Sequence, residues 1–397
     1  MKQILFTAVL GLASWRFATA QTESAITRDG TYWVRTIQGA IDTSASNRLR
    51  VETTGNVNLR GASGEQSSYT LALRVRAADA REAEVLFDRV NVKTGTEGGW
   101  TYVKVTPPRE GRLSVELTVT GPKALRQVRA ETRGGNVQAS DWDGDFEAQS
   151  AGGRIGVDRI RGTSELRTAG GMIDVGTVNG PVRCYSGGGI IRVENAGAAA
   201  TLDTAGGEIF VHQAEGPVQA STGGGNIRIE RASSTVMART AGGLIQVEQA
   251  DGPVTAESSG GAIQVSSANG VRCESAGGAI RLRNVAGAVR AFANSGSILA
   301  ELAGGRESSG KGMADSILST NAGDITVLIP SNLALTVRAT NESGGSGRIN
   351  SDFPQLRPRS SGSPEAGPLV AEGELNGGGP VLRVNVMAGT IYLRRAK

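Results

Sequence analysis

The stretches AGGLIQVEQADGPVTAES (residues 241–258) and SGGAIQVSSANGVRCES (residues 259–275) decide the fold of this chain. Each opens with a small residue and a Gly-Gly pair, continues with alternating apolar residues, and ends on a serine. Such pairs occur nine times between Gly134 and Gly278, and seven of the eight intervals between them are eighteen residues. A fixed period of this length indicates a solenoid, in which each repeat is one coil stacked on the last.

Each coil divides into two similar halves. In the coil that starts at Gly242, apolar residues alternate with polar ones around Ile245 and again around Val254, which is the periodicity of a β-strand. The glycines mark tight corners, where we expect backbone dihedrals that other residues resist. The sequence therefore predicts an all-β fold, a single-stranded parallel β-helix (β-solenoid) with coils of about 18 residues.

Residues at equivalent positions of successive coils form columns along the stack, and the residue types in each column predict which side chains point inward. Three columns are apolar, and a fourth, just before each glycine pair, carries hydroxyls that we expect to hydrogen-bond from coil to coil. The apolar columns are Ile155, Ile173, Ile191, Ile209, Ile227, Ile245 and Ile263, then Val157, Val175, Val193, Val211, Ile229, Val247 and Val265, then Leu166, Cys184, Leu202, Ala220, Ala238 and Ala256. The hydroxyl column is Thr168, Ser186, Thr204, Thr222, Thr240, Ser258 and Ser275.

A left-handed hexapeptide helix also has coils of eighteen residues, but it needs an inward aliphatic residue every six positions. Six positions after Ile173 and Ile191 stand Asn179 and Gly197. This spacing excludes the hexapeptide alternative.

The first residues have the pattern of a secretory signal. Lys2 gives a positive start, a largely apolar run follows, and Ala18-Thr19-Ala20 fits a cleavage site, so residues 1–20 are predicted to be a signal peptide. The run is too short for a membrane span, and the mature chain is expected to have no transmembrane segment. Removal of Lys2 and Arg16 lowers the formal net charge from +4 to +2, which does not favour nucleic acid as a partner.

The remaining chain has two regions with different sequence patterns. Residues 21–125 alternate like strands, with one short helix predicted over Asp79–Val90, and are predicted to form a β-rich N-terminal cap whose last strand leads into the first coil. Residues 126–397 are predicted to form the β-helix domain. Within it, residues 354–368 are rich in Ser, Pro, Gly and Arg and are predicted to be a flexible loop.

The repeats and the closing segment resemble the bacterial putative-adhesin family. The resemblance is carried by GGNVQA (134–139), AGGRIGV (151–157), DITVLIPSNLALTVRATNESGGSGRINSDF (324–353), GELNGGGP (373–380) and AGTIYLRR (388–395). It covers roughly residues 110 to 397. The resemblance implies a parallel β-helix on an exported bacterial protein, and the family offers no catalytic residues to carry over.

The search for catalytic and cofactor chemistry is negative. His212 is the only histidine, which excludes multi-histidine zinc sites and any site that needs one histidine as a base and another as a ligand. No phosphate-binding loop or dinucleotide fingerprint is present, because the glycine pairs lie at coil corners and do not open helices. We therefore predict no catalytic residues, no metal and no cofactor.

One outward column contains the best candidate contact residues. Glu194, His212, Glu230 and Glu248 follow the second inward aliphatic of successive coils, and neighbouring coils lie about 4.8 Å apart. The column is interpreted either as a solvated strand face or as a surface contact strip for a carbohydrate or another ligand.

Two function classes follow from the pattern. The first is a noncatalytic exported scaffold, periplasmic, at the cell surface or extracellular, whose regular face binds a glycan, a cell surface or a protein. The alternative is a polysaccharide-acting enzyme, a lyase or hydrolase, on a β-helix scaffold. Long loops over a groove would favour the enzyme, but the coils between Gly134 and Gly278 carry almost no insertions. The first class is the preferred prediction.

The two cysteines are predicted to be unpaired. Cys184 and Cys273 each stand four residues before a glycine pair, so they occupy the same inward column. Five coils separate them, which is roughly 24 Å. A disulfide needs Cα atoms within about 7 Å.

Overall fold

The structure is a computed structural model of the chain, and it describes residues 21–108, 113–303, 313–343, 348–361 and 367–396. The predicted signal peptide, residues 1–20, lies outside the described residues. The described residues form 36 strands and one helix. No helix among them is long and apolar enough to cross a membrane.

The elements of the N-terminal region are β1 Thr22–Glu23, β2 Thr27–Asp29, β3 Tyr32–Ile41, β4 Arg48–Thr53, β5 Asn56–Ala62, β6 Ser67–Val75, α1 Ala80–Asp88, β7 Asn91–Glu97, β8 Trp100–Thr106 and β9 Leu113–Pro122. The repeats supply β10 Gln127–Thr132, β11 Val137–Trp142, β12 Asp145–Ser150, β13 Ile155–Ile160, β14 Ser164–Thr168, β15 Ile173–Val178, β16 Val182–Ser186, β17 Ile191–Ala196, β18 Ala200–Thr204, β19 Ile209–Ala214, β20 Val218–Thr222, β21 Ile227–Ala232, β22 Val236–Thr240, β23 Ile245–Ala250, β24 Val254–Ser258, β25 Ile263–Val265, β26 Ala268–Ser275, β27 Ile280–Ser295 and β28 Ile298–Leu302. The closing region contains β29 Ser316–Ala322, β30 Ile325–Ile329, β31 Leu335–Asn341, β32 Arg348–Ser351, β33 Arg359–Ser360, β34 Leu369–Leu375, β35 Val381–Ala388 and β36 Thr390–Arg395.

Each repeat forms one coil of two strands, as the period predicted. From β10 to β23 each strand pairs in parallel with the strand eighteen residues on, for example Ile227 with Ile245 and Val236 with Val254. The spacing is seventeen residues from Val254 to Val271 and from Ile263 to Ile280. Two parallel sheets result: the first sheet holds the odd-numbered strands β11 to β25, and the second sheet holds the even-numbered strands β10 to β26. The long strand β27 bends from the first sheet into the second. The all-β solenoid fold class is confirmed.

The core lies between the two sheets, and all the predicted inward columns are buried. Two further inward columns were missed by the sequence analysis, because a bend breaks the alternation: after Val193, both Glu194 and Asn195 point outward before Ala196 turns in. The first missed column is Ile160, Val178, Ala196, Ala214, Ala232, Ala250 and Ala268. The second is Ser164, Val182, Ala200, Val218, Val236, Val254 and Val271.

The hydroxyl column fixes each corner through the backbone. The Thr222 hydroxyl donates to the carbonyl of Gly207 in the preceding coil at 2.8 Å, and it accepts from the amide of Gly225 in its own coil at 3.1 Å. Nine hydroxyls of the described residues repeat this pair of bonds, namely Thr132, Ser150, Thr168, Ser186, Thr204, Thr222, Thr240, Ser258 and Ser275. The coil-to-coil bond thus joins a hydroxyl to a glycine carbonyl, and no hydroxyl bonds to the next hydroxyl of the column.

The reason for the repeated glycines differs from the expected one. Neither Gly224 nor Gly225 adopts a positive φ, so unusual dihedrals do not explain the pair. The second glycine instead lies against the preceding coil: a Cβ on Gly225 would be 2.0 Å from the carbonyl oxygen of Gly207. A Cβ on Gly224 would meet nothing within 4 Å. Close backbone stacking therefore requires the second glycine of each pair.

The N-terminal region continues the solenoid in a different order. β4 and β5 stack on β10 and β11, while β8 and β9 stack on the far side of β4 and β5. Antiparallel strands β6 and β7 then pair with β9 and β8. The predicted short helix is confirmed as α1, whose N-cap Asp79 accepts from the Glu82 amide at 2.9 Å, while the Glu82 carboxylate accepts from the Ala78 amide at 2.7 Å.

The closing region shows the same kind of reordering. β35 pairs in parallel with both β29 and β31, and β36 pairs with both β30 and β32. The last strand pair in sequence therefore lies inside the stack, between two coils that precede it in the chain. Antiparallel β34 covers β31. The short strand β33, which lies in the segment predicted as a flexible loop, pairs with β34 just after that segment.

The cysteines occupy one inward column, as predicted. Cys184 lies in β16 and Cys273 in β26, both are fully buried, and both are free. Burial raises the pKa of each thiol, because the thiolate loses its hydration in the core. Both side chains therefore act as small apolar residues.

We predict that Gly225→Ala destabilises the protein and that Gly224→Ala does not. The Cβ at position 225 collides with a backbone oxygen that cannot move without shifting the preceding coil, at a cost of roughly 1–3 kcal/mol. The control substitution, one residue earlier, points into open space and should stay within about 0.5 kcal/mol of the wild type. Denaturant unfolding of both variants measures the difference, and equal stabilities would contradict the stacking explanation.

We also predict that a thiol reagent labels neither cysteine in the native state and both after denaturation. Burial and the raised thiol pKa suppress reaction in the folded protein. Quantitative labelling followed by mass measurement gives the count. A native Cys184–Cys273 disulfide would contradict the register of the whole stack.

Candidate functional site

The predicted contact strip lies on the outer side of the first sheet, at the bend of each coil. Glu194, His212, Glu230 and Glu248 occupy equivalent positions in β17, β19, β21 and β23. Glu194 is exposed, whereas the other three are half-buried. The structure thus places the four residues in one row.

His212 joins the centre of this row to its neighbours. Its Nδ1 lies 2.7 Å from Oε2 of Glu230, and its Nε2 lies 3.3 Å from Nη2 of Arg231. Because a guanidinium only donates, Nε2 must accept, and Nδ1–H then donates to the carboxylate. The neutral imidazole satisfies both contacts with one tautomer.

Two of the three carboxylates of the strip, those of Glu230 and Glu248, have partners in the strip or directly beside it. Arg228 contacts Glu230 at 3.2 Å, and Gln246 donates to Glu248 at 2.5 Å. The hydrogen bond from His212, aided by the charge of Arg228, lowers the pKa of Glu230 below its ordinary value. His212, Glu230 and Glu248 are therefore already paired with neighbouring side chains, and only Glu194 of the four extends freely.

A groove runs along the second sheet, beside the corner that contains the glycine pairs. Its first part has a volume of about 970 Å³ and is lined by six coils from β4 to β18. Its second part, of about 610 Å³, is lined by the next six coils from β20 to β29. Since the two parts adjoin at Asp203 and Ser221, the groove is roughly 53 Å long at about 4.8 Å per coil.

The groove has a repeated construction. In most coils, one wall is the outward residue just before the buried hydroxyl, and the other is the small residue just after it. Exceptions include Phe292, which precedes Ala293, and Arg133, which stands where most other coils have a small residue. The outward wall reads Glu52, Glu131, Gln149, Arg167, Tyr185, Asp203, Ser221, Arg239, Glu257, Glu274, Phe292 and Ser319. The small residues are Ala151, Ala169, Gly187, Ala205, Ala241, Ser259 and Ala276.

The middle of the groove holds an unusual trio on neighbouring coils. Arg167 pairs in register with Tyr185, and Tyr185 with Asp203. The Arg167 guanidinium lies 4.6 Å from the centre of the Tyr185 ring and is also paired with Glu165. Burial raises the pKa of the Asp203 carboxyl. A hydrogen bond with Ser221 lowers this pKa, but its effect is smaller than that of burial.

Sequence reasoning missed this groove. Its wall residues recur every eighteen positions like the strip, but they vary from coil to coil in charge and size, so no single chemistry marks the column. The signal that could have found it is position: every outward wall residue except Phe292 directly precedes a serine or threonine of the hydroxyl column, and the glycine pairs reveal where that column lies.

Among the described residues, no group of three or more His, Cys, Asp or Glu side chains is placed to hold a metal ion. His212 and Glu230 form a pair without a third ligand of this kind. Within the groove, the side chains offer hydrogen bonding, ion pairing and contact with the aromatic rings of Tyr185 and Phe292.

Comparison with known proteins finds similar solved structures. A putative adhesin from Bacteroides fragilis is 13% identical, covering 62% of this chain and 95% of its own, with a TM-score of 0.33. A putative adhesin from Parabacteroides merdae is 12% identical over 68% and 93%, with a TM-score of 0.27. A putative lipid binding protein from Parabacteroides distasonis is 15% identical over 76% and 98%, with a TM-score of 0.26.

Two of these structures carry the name of the family that the sequence resembles. No protein-family model and no curated protein matches the sequence.

We predict that His212→Ala raises the pKa of Glu230 toward its ordinary value. The His212 hydrogen bond is the main cause of the lowered pKa, so Arg228→Ala should raise it less. A folded pKa below the unfolded one means that this pair stabilises the protein at neutral pH and loses its effect as the pH falls through the folded pKa. NMR titration of the Glu230 carboxyl measures the shift, and an unchanged pKa in His212→Ala would contradict the geometry.

Proposed function

We propose that this chain is a noncatalytic exported scaffold that binds a glycan, cell-surface or protein partner along the groove of the second sheet. The observation that carries the proposal is the continuity of the groove across twelve coils, six in each of its two parts. A concave surface that repeats at a fixed spacing suits an extended partner, since solenoids commonly use such faces for binding.

The groove supports binding better than the strip does. Three of the four residues of the strip already have hydrogen-bonding or ionic partners beside them. The groove instead is concave and contains Asp203, which forms no ion pair with any described residue. A partly buried carboxylate without a cation is a group that a ligand can satisfy.

The alternative, a polysaccharide-acting hydrolase, needs a carboxylic acid that stays protonated and a second carboxylate roughly 5–9.5 Å away. Asp203 has the raised pKa, but the nearest carboxylate on its wall, Glu257, is three coils distant, or about 14 Å. Two glutamate pairs, Glu52 with Glu131 and Glu257 with Glu274, do lie on neighbouring coils.

Those glutamate pairs favour a structural role over a catalytic one. Lys104 contacts Glu52 at 2.8 Å, and this contact lowers the pKa of Glu52, which makes it a poor proton donor. Arg239 contacts Glu257 at 3.0 Å, and Arg272 contacts Glu274 at 2.5 Å. Glu52, Glu257 and Glu274 are thus each engaged in an ion pair with a neighbouring cation.

Export belongs to the proposal as well. The proposed mature chain begins at Gln21, after the Ala18-Thr19-Ala20 site, and acts in the periplasm, at the cell surface or outside the cell.

We predict that filling the groove abolishes binding. Purified residues 21–397, fluorescently labelled, are applied to a glycan array and to bacterial and epithelial cells, as wild type and as Ala205→Trp. Ala205 is exposed and lines the groove, so the indole occupies the space of a ligand. Bound signal should fall by about tenfold or more.

The matched control is Glu194→Trp, which places the same bulk on the strip of the first sheet. Its binding should equal that of the wild type. Loss of binding in Glu194→Trp with retention in Ala205→Trp would move the site to the strip. Release of new reducing ends from any polysaccharide would establish the enzymatic alternative instead.

A further inference from the structure

The backbone of the groove has no hydrogen bonds to offer a peptide strand. The amides of the small-residue wall are occupied by the preceding coil: Ala169 donates to Ser150, Gly187 to Thr168 and Ala205 to Ser186, at 3.0 to 3.2 Å. Recognition of an extended peptide by strand addition needs an open sheet edge, which the groove lacks. A ligand in this groove is therefore recognised by side chains.

The charges of the groove suit neither a polyanion nor a polycation, because most of its acids and arginines are paired: Glu52, Glu131, Glu257 and Glu274 each contact a lysine or an arginine. Its lining holds five acids and three arginines, namely Glu52, Glu131, Asp203, Glu257, Glu274, Arg133, Arg167 and Arg239. Arg167 is paired with Glu165, and Arg239 is paired with Glu257. Nucleic acids and sulfated glycans need a surplus of unpaired cations, so an uncharged ligand fits better.

Tyr185 and Asp203 provide the contacts that an uncharged sugar requires. The Tyr185 ring lines the groove under the Arg167 guanidinium, and its hydroxyl bonds to none of the described residues. One coil on, the Asp203 carboxylate can accept hydrogen bonds from hydroxyl groups, which are stronger to an ionised acceptor. The ring adds an apolar surface beside it.

A second aromatic ring marks the far part of the groove. Phe292 is 38% exposed and lines the groove six coils beyond Tyr185, which is about 29 Å along the axis. The half-buried Tyr185 ring and the exposed Phe292 ring line the same groove, so they can contact one ligand chain at two points. Simultaneous contact raises the affinity of a ligand long enough to reach both.

We infer that the groove binds an uncharged, extended oligosaccharide, with Tyr185 and Asp203 at the principal contact and Phe292 at a second one. The inference rests on the proposed function, since it names the ligand class for the same groove. No bond is made or broken in the bound sugar.

To test this inference, purified protein comprising residues 21–397 is titrated with cello-oligosaccharides and manno-oligosaccharides of increasing length, and binding is measured by calorimetry. One series should bind, with an affinity that rises with length. Asp203→Asn and Tyr185→Ala should each weaken binding by about tenfold or more, the loss expected for a hydrogen bond to a charged group or a stacking ring. Phe292→Ala should weaken only the long ligands.

The controls separate recognition from folding. Thr201→Ala changes a side chain on the same strand as Asp203 but outside the groove, and should bind as the wild type does. Tyr185→Phe keeps the ring that Arg167 covers, and should bind more tightly than Tyr185→Ala. The affinity should not change with salt, because an uncharged ligand is not screened.

The outcomes distinguish the two proposals. If no oligosaccharide binds while Ala205→Trp still abolishes cell binding, the sugar inference is wrong and the groove remains the site; loss of that binding after protease treatment of the cells then indicates a protein partner. Strong salt dependence would replace the uncharged ligand with an anionic one. If Ala205→Trp leaves cell binding intact, the proposed function itself is overturned.

Discussion

The structure depends on one repeated interaction, the bridge that a threonine or serine hydroxyl makes between two coils. In each coil the hydroxyl accepts from a glycine amide of its own corner and donates to a glycine carbonyl of the preceding coil, as Thr240 does with Gly243 and Gly225. These polar groups are buried, and leaving one unpaired would cost about 1–3 kcal/mol. The bridge forms only when consecutive corners approach closely, which explains why a side chain is excluded at the second glycine.

The regular corner determines the outer surfaces. Because every coil turns at the same place, the outward residue before the hydroxyl and the small residue after it form two straight walls. The small residues keep the space between the walls open, and the variable residues give it local chemistry, as at Tyr185 and Asp203. The groove is thus a by-product of the packing rule that stabilises the core.

The sequence predicted those features of the fold that follow from the eighteen-residue period. The two-strand coil, the parallel stack, the buried Ile and Val columns and the unpaired cysteines all follow from eighteen-residue spacing and alternation. The bend at Glu194 was missed because two outward residues in succession interrupt the alternation. The reordered coils at both ends could not be predicted either, since strand pairing between segments such as β4 and β10 depends on tertiary packing and not on local pattern. The groove could not be predicted from the sequence, because its existence depends on the distance between its two walls, and periodicity alone does not give that distance.

The position of β35 and β36 inside the stack has a consequence for how the chain assembles. In an ordinary solenoid each new coil can add to the growing end as it emerges during synthesis or translocation. Here β31 and β32 emerge earlier, yet they contact the rest of the stack through a strand pair that arrives later. Until it arrives, β29 and β30 keep unpaired edges, which are the surfaces most prone to aggregation. The fold is therefore complete only after β35 and β36 have been synthesised. A chain that ends before these strands keeps the unpaired edges of β29 and β30 exposed.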